Sequence, residues 1–147
     1  MGKKIDPNKA TQVYVDWVAD IFNMHQKFGH HTAVDKMNSD TFALWLEFRK
    51  KFLEEEHAEM LGATTAEDFV DALIDYMVVA IGTLDMADVD ARLAWYKVHC
   101  ANMSKECGIN STRPNPLGLP DLIKPPRFVP PDHTGNVGRL AEVFDDE

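Results

Sequence analysis

The sequence predicts an all-α protein: an antiparallel four-helix bundle-like core over residues 1–108, followed by an extended proline-rich arm over residues 109–147. Three observations lead there. Apolar residues recur at three-and-four spacing along four separate stretches before Gly108. The second and third stretches are joined by a turn of a few residues, which forces an antiparallel hairpin. Seven of the eight prolines then fall between Gly108 and Pro131, where helical period disappears.

Composition narrows the function classes. A chain of 147 residues with 45% hydrophobic residues holds one domain with a real core. The formal charge of −9 argues against a nucleic-acid polymer as partner, because counterion release requires a basic face. It leaves room for a nucleotide carried as its magnesium complex. Apolar runs are too short to span a bilayer, so no membrane partner is expected. The start MGKKID leads into a polar helix and not a secretory apolar segment, which points to the cytoplasm. Cys100 and Cys107 have no zinc or redox spacing and read as reduced thiols.

Taken in order, Asp6-Pro7 forms a helix start, and Ala10, Val13, Tyr14, Trp17, Val18, Ile21, His25 and Phe28 continue at helical period. His25 on that face is either a core histidine with one hydrogen bond or a group that contacts a substrate base. Gly29 to Ser39 reads as loop, with His30 and His31 solvated. Ser39 caps a second helix, Asp40 to Leu61, whose apolar stripe runs Trp45, Phe48, Phe52. Lys50 and Lys51 pair along that helix with Glu54 and Glu55. Arg49, between the apolar face and its flank, is placed to hold an acidic cluster or a phosphate. Gly62 ends the helix, and Thr64 or Thr65 with Glu67 or Asp68 forms a capping box for a third helix, Ala66 to Thr83. This third helix is apolar nearly all round after Asp75 and is expected to be the most buried. Asp88 or Asp90 caps a fourth helix that reaches Lys105, with Leu93, Tyr96, Cys100 and Met103 on its core side. Asn102 and Lys105 share another face; alone, they read as an ordinary helix C-terminus. The apolar residues of the arm are expected to pack over the bundle or a neighbouring subunit, with the part after Pro131 as a solvated tail in the alternative.

The chemistry concentrates between Glu54 and Thr83. The apolar stripe of the second helix continues into Glu55 or Glu56 and then Glu59, so its buried face turns acidic. Asp71 and Asp75 share one face of the third helix, and Asp75 interrupts an apolar run. Folding the chain about residue 63 sets Glu55 and Glu56 level with Asp71. Carboxylates aimed into a bundle repel one another and resist desolvation unless something positive compensates them. A hard divalent cation held through oxygen does so most simply. The bland alternative is a solvated acidic face; the placement of Asp75 disfavours it.

These residues resemble the all-α nucleoside triphosphate pyrophosphohydrolases, the MazG-like and phosphoribosyl-ATP pyrophosphohydrolase-like group. Its EExxE motif matches Glu55-Glu56-His57-Ala58-Glu59, and its ExxD matches at Asp75, with Ala72 where the glutamate is expected. Val98 to Lys105 (VHCANMSK) is similar to a run found in phage and bacterial members, and Ile123 to Asp132 (IKPPRFVPPD) to their closing segment. The resemblance implies hydrolysis of a nucleoside triphosphate to monophosphate and diphosphate, with Mg²⁺ (or Mn²⁺ in its place). It implies a homodimer or dimer of dimers in a bacterial cytoplasm, or in that of the host for a phage-encoded protein. Glu56, Glu59 and Asp75 would be metal ligands, Asp71 a fourth, and Glu55 the general base. Asn102 and Lys105 would steady the leaving diphosphate, and Lys124 and Arg127 come under suspicion with the closing segment. Two alternatives stand beside this: a true phosphoribosyl-ATP pyrophosphohydrolase, and a non-catalytic nucleotide-binding module.

Overall fold

A computed structural model describes residues 6–8 and 14–144 of the chain. It is mostly helical. Five α-helices, α1 (Trp17–Lys27), α2 (His30–Asp35), α3 (Ser39–Gly62), α4 (Ala66–Met86) and α5 (Ala91–Met103), are followed by a two-stranded antiparallel sheet and a short 3-10 helix, Gly138–Glu142. The strands, β1 (Glu106–Gly108) and β2 (Asp121–Ile123), pair with Cys107 opposite Leu122. Among the described residues no helix is long and apolar enough to cross a membrane.

The helix starts follow local capping. Asp6 makes a turn to the Asn8 amide and opens no helix, while residues 9–13, including Ala10 and Val13, lie outside the described residues. The first helix begins at Trp17, where the Asp16 carboxylate accepts from the Ala19 amide at 3.0 Å. Asn38, one residue ahead of the expected Ser39, caps α3. Thr65 caps α4 by accepting from the Asp68 amide at 3.1 Å, as the capping box predicts. Asp90 caps α5.

The stretch read as loop is instead a helix. Gly29 takes a left-handed conformation (φ 74°), which glycine adopts without steric cost, and the chain restarts at once as α2. Val34 of α2 thereby enters the core with Phe42, Met86, Ala87 and Val89. The end of the chain closes this cluster: Leu140 and Val143 pack against it, and the Arg139 guanidinium donates to the carbonyls of Val34 and Met37 while lying 4.3 Å over the Phe42 ring. The segment after Pro131 is therefore docked, where a solvated tail was the alternative.

Two burial expectations are corrected. On α3 the inward stripe is Phe42, Leu46, Arg49 and Glu56, at three-, four- and seven-residue steps, and Phe48 lies outside it, 61% exposed. On α4 and α5 the large apolar residues Val70, Leu73, Ile74, Leu93, Tyr96 and Met103 are exposed, as is Cys100; the small residues Ala72, Gly82, Ala91 and Ala101 are inside, together with Val79 and Met86 of α4. Small side chains let backbones approach closely, and the bulky ones are left facing outward. From Met77 to Met86, in contrast, every residue of α4 is buried or half-buried, as expected for a helix that is apolar nearly all round after Asp75.

Candidate active site

The α3–α4 hairpin positions the site, and its register is fixed by Arg49. The buried guanidinium donates from Nε to Thr83 Oγ1 (2.9 Å) and from a terminal nitrogen to the Val79 carbonyl (2.8 Å). Gly82 makes room for this, since a Cβ there would stand 2.9 Å from His25 Cε1 and 3.1 Å from an Arg49 nitrogen. Two turns along α3, with two turns back along α4, set Glu56 opposite residues 72–76. This is about a turn from the expected register, in which Asp71 was level with Glu56. Asp75 takes that place.

The charges follow the register. Glu56 is the one buried carboxylate of the motif, 8% exposed, whereas Glu55, Glu59, Asp71 and Asp75 are exposed. Burial, reinforced by the nearby charges of Glu59, Asp75 and Glu55, holds the Glu56 carboxyl above the usual carboxylate range. Asp71 is not among the charges acting on Glu56. Ala72, in the place of the family glutamate, is buried one residue further on. Among the described residues, none of Glu55, Glu56, Glu59, Asp71 and Asp75 has an ion pair with a lysine, arginine or histidine. An oxygen-only donor set with a buried, uncompensated member fits a hard divalent cation, which would supply the missing positive charge.

A second set of predicted residues comes together at the end of α5. The Lys105 ammonium donates to Asn102 Oδ1 at 2.9 Å, and Lys105 and Lys124 both lie over the Phe128 ring, 5.7 and 5.4 Å from its centre. The strand pairing of Glu106 with Ile123 brings the two lysines side by side. Two cations at one aromatic ring, with an amide bonded to one of them, form a small basic station at the sheet. Arg49, in contrast, directs its donors to α4, at the Thr83 hydroxyl and the Val79 carbonyl.

A sequence model of the phosphoribosyl-ATP pyrophosphohydrolase family matches residues 21–102, more than half of the chain and the whole of the α3–α4 hairpin. The chain belongs to that family. It is therefore a hydrolase of acid anhydrides, a pyrophosphohydrolase acting on a nucleotide substrate, in a metal-dependent group. A search of curated proteins finds no match.

In this member of the pyrophosphohydrolase family the structure also joins His25, a candidate from the sequence, to two residues that the sequence did not single out, His31 and Asp85. Asp85 lies in the last turn of α4, and one of its oxygens, Oδ2, accepts from His25 Nδ1 at 2.6 Å and His31 Nε2 at 2.7 Å. His25 is 3% exposed, and burial holds its imidazolium below the ordinary range while Asp85 opposes that shift. His31 was expected in solvent; α2 turns it inward, its ring tilted by 41° against the Phe22 ring at 4.7 Å. The available signal was an apolar helical pattern that continues past Thr83 with a carboxylate inside it.

Proposed function

We propose that the chain is a Mg²⁺-dependent nucleoside triphosphate pyrophosphohydrolase, which converts a (d)NTP and water to (d)NMP and diphosphate. The observation that carries this is Glu56: a buried carboxylate, opposite Asp75 and flanked by Glu55 and Glu59, with no cationic side chain to balance it among the described residues. Glu56, Glu59 and Asp75 would hold the metal, with Mn²⁺ able to replace Mg²⁺. Asp71, exposed and a residue away from the inward face, joins them only at the outer edge of the site. When bound, the metal supplies Lewis-acid polarisation of the phosphate oxygens.

The side chains divide the remaining work. Glu55, exposed beside the buried Glu56, is the general base: it takes the proton from the water that attacks the α-phosphorus. Asn102, Lys105 and Lys124 bind phosphate oxygens and offset the charge that builds on the leaving diphosphate. Arg49 and His25 act from behind. Their hydrogen bonds to α4 hold the helix in the register that sets Asp75 against Glu56.

The fold in this reading is an antiparallel helical bundle with residues 109–147 as an arm. The arm carries Lys124 to the α5 terminus and closes the core through Arg139. The exposed apolar residues of α4 and α5, Leu73 and Ile74 with Trp95 and Tyr96, are covered by a second copy in a homodimer or dimer of dimers, in the cytoplasm.

A second reading is favoured by the matched family itself, whose description names phosphoribosyl-ATP. Both substrates present the same α–β anhydride to the same carboxylates. Diphosphate release from the eight common NTPs and dNTPs and from phosphoribosyl-ATP, with Mg²⁺ or with EDTA, separates them. Metal-dependent release from one or two triphosphates supports the first reading; release from phosphoribosyl-ATP alone supports the second. Metal-dependent nucleotide binding with no turnover of any of the nine would overturn both in favour of a binding module.

A further inference from the structure

Asp85 brings two histidines from two other helices onto one of its oxygens. The ligand atoms of His25, His31 and Asp85 all lie within 4.8 Å of one another, and among the described residues no other trio of histidine, cysteine and carboxylate groups does so. The three come from α1, α2 and α4, so the arrangement is tertiary and not an accident of one helix face. Asp85 is ten residues beyond Asp75 on α4, about 15 Å along the helix axis. The trio is therefore separate from the acidic site.

We infer that His25, His31 and Asp85 form a second divalent-metal site, selective for a late first-row ion such as Zn²⁺ over Mg²⁺. Two imidazoles and one carboxylate are a borderline donor set that suits zinc, whereas magnesium prefers oxygen throughout. On a tetrahedral ion with bonds of about 2.0–2.1 Å, ligand atoms stand about 3.3 Å apart. The present spacings of 2.6 and 2.7 Å to Asp85 must open that far, and the two imidazole nitrogens, within 4.8 Å of each other, must draw in toward the same spacing. The proton balance is simple. Asp85 Oδ2 accepts from His25 Nδ1 and His31 Nε2; on binding, His25 presents the Nδ1 lone pair and His31 the Nε2 lone pair, and each neutral ring bound to the metal carries its one proton on the other nitrogen.

The fourth position faces an open cleft of about 460 Å³, lined by Phe22 and His31 and by Asp35, Asp85, Asp88 and Asp90. That lining holds, among the described residues, no lysine or arginine, so it concentrates cations at the trio and leaves room for water or a small anionic ligand on the metal. The site would also tie α1 and α2 to the C-terminal turn of α4, where the core cluster is anchored.

The test is titration of the full chain with Co²⁺, a visible stand-in for Zn²⁺, in millimolar Mg²⁺ to fill the carboxylate site. Nitrogen-15 spectra of the imidazoles are recorded alongside. Expected are tetrahedral Co²⁺ absorption bands at one equivalent and a tautomer change confined to His25 and His31. Removal of one ligand in His31→Ala should weaken binding at least about 10-fold, the lower end of what a lost supporting residue costs. His31→Gln, nearer in size, repeats the comparison should His31→Ala fail to fold. Unmoved imidazole signals in the wild-type chain, or a folded His31 variant that binds Co²⁺ with wild-type affinity, would overturn the site and leave a hydrogen-bonded network.

Discussion

The two ends of the α3–α4 hairpin treat buried charge in opposite ways. Near the α4 C-terminus, Arg49, His25 and Asp85 are buried or nearly so, and each has a partner in the chain: Thr83 and Val79 for Arg49, Asp85 for His25. Near the turn, Glu56 is buried among like charges. A helix pair that satisfies its polar groups at one end and gathers carboxylates at the other is braced at the first and held ready for a cation at the second. Stability is expected to depend on the braced end, and activity on the acidic one.

That contrast is sharpest at Glu55, the proposed general base. Glu55→Gln should lower the turnover rate by at least about 10²-fold, the lower bound for a lost general base. Its thermal midpoint should stay at the wild-type value, because Glu55 is exposed and without an ion pair among the described residues. Steady-state diphosphate release and a melting curve on the same sample test both halves, and a destabilised variant would blur the division.

The braced end should respond the other way. Arg49→Met removes two hydrogen bonds from a charged donor, one to the Val79 carbonyl and one to the Thr83 hydroxyl (which still donates to that carbonyl at 2.7 Å), at a cost of about 1–3 kcal/mol in denaturant unfolding. Gly82→Ala tests the same contact from the α4 side: its methyl must push His25 and Arg49 aside, which costs about 1–3 kcal/mol of overpacking. If neither change lowers the urea midpoint, Arg49 does not fix the register.

The smallest structural effect is expected at the basic station. Lys105→Ala removes an exposed hydrogen bond and a cation over Phe128, so stability should change by less than about 0.5 kcal/mol. A raised KM, a lowered kcat or both should accompany it. Kinetics indistinguishable from wild type would remove Lys105 from the site.

Much of this was legible in the sequence, for identifiable reasons. The α3–α4 hairpin was readable because both helices are long, a capping threonine marks the second, and the carboxylates interrupt an apolar pattern. Helix α2 was not, since six residues give less than two turns of periodicity and its start depends on a left-handed glycine. The inward face of α5 was misread because hydrophobicity stood in for burial: Ala91 and Ala101 go inside while Tyr96 and Met103 stay out. His31 and Asp85 were missed because their meeting is decided by the turn at Gly29. The register of the acidic site was off by about a turn because symmetry about the loop cannot foresee where Arg49 locks onto α4.

The central claim is that the charge gathered at Glu56 awaits a metal, and the most direct measurement is the thermal midpoint of the nucleotide-free chain with and without Mg²⁺. The wild-type midpoint should rise with Mg²⁺ in a saturable way. In Glu56→Gln, where one buried charge is gone, the midpoint without metal should equal or exceed that of wild type, and Mg²⁺ should add little. An equal rise in both proteins, or no rise in either, would contradict the account and return the acidic group to a solvated surface.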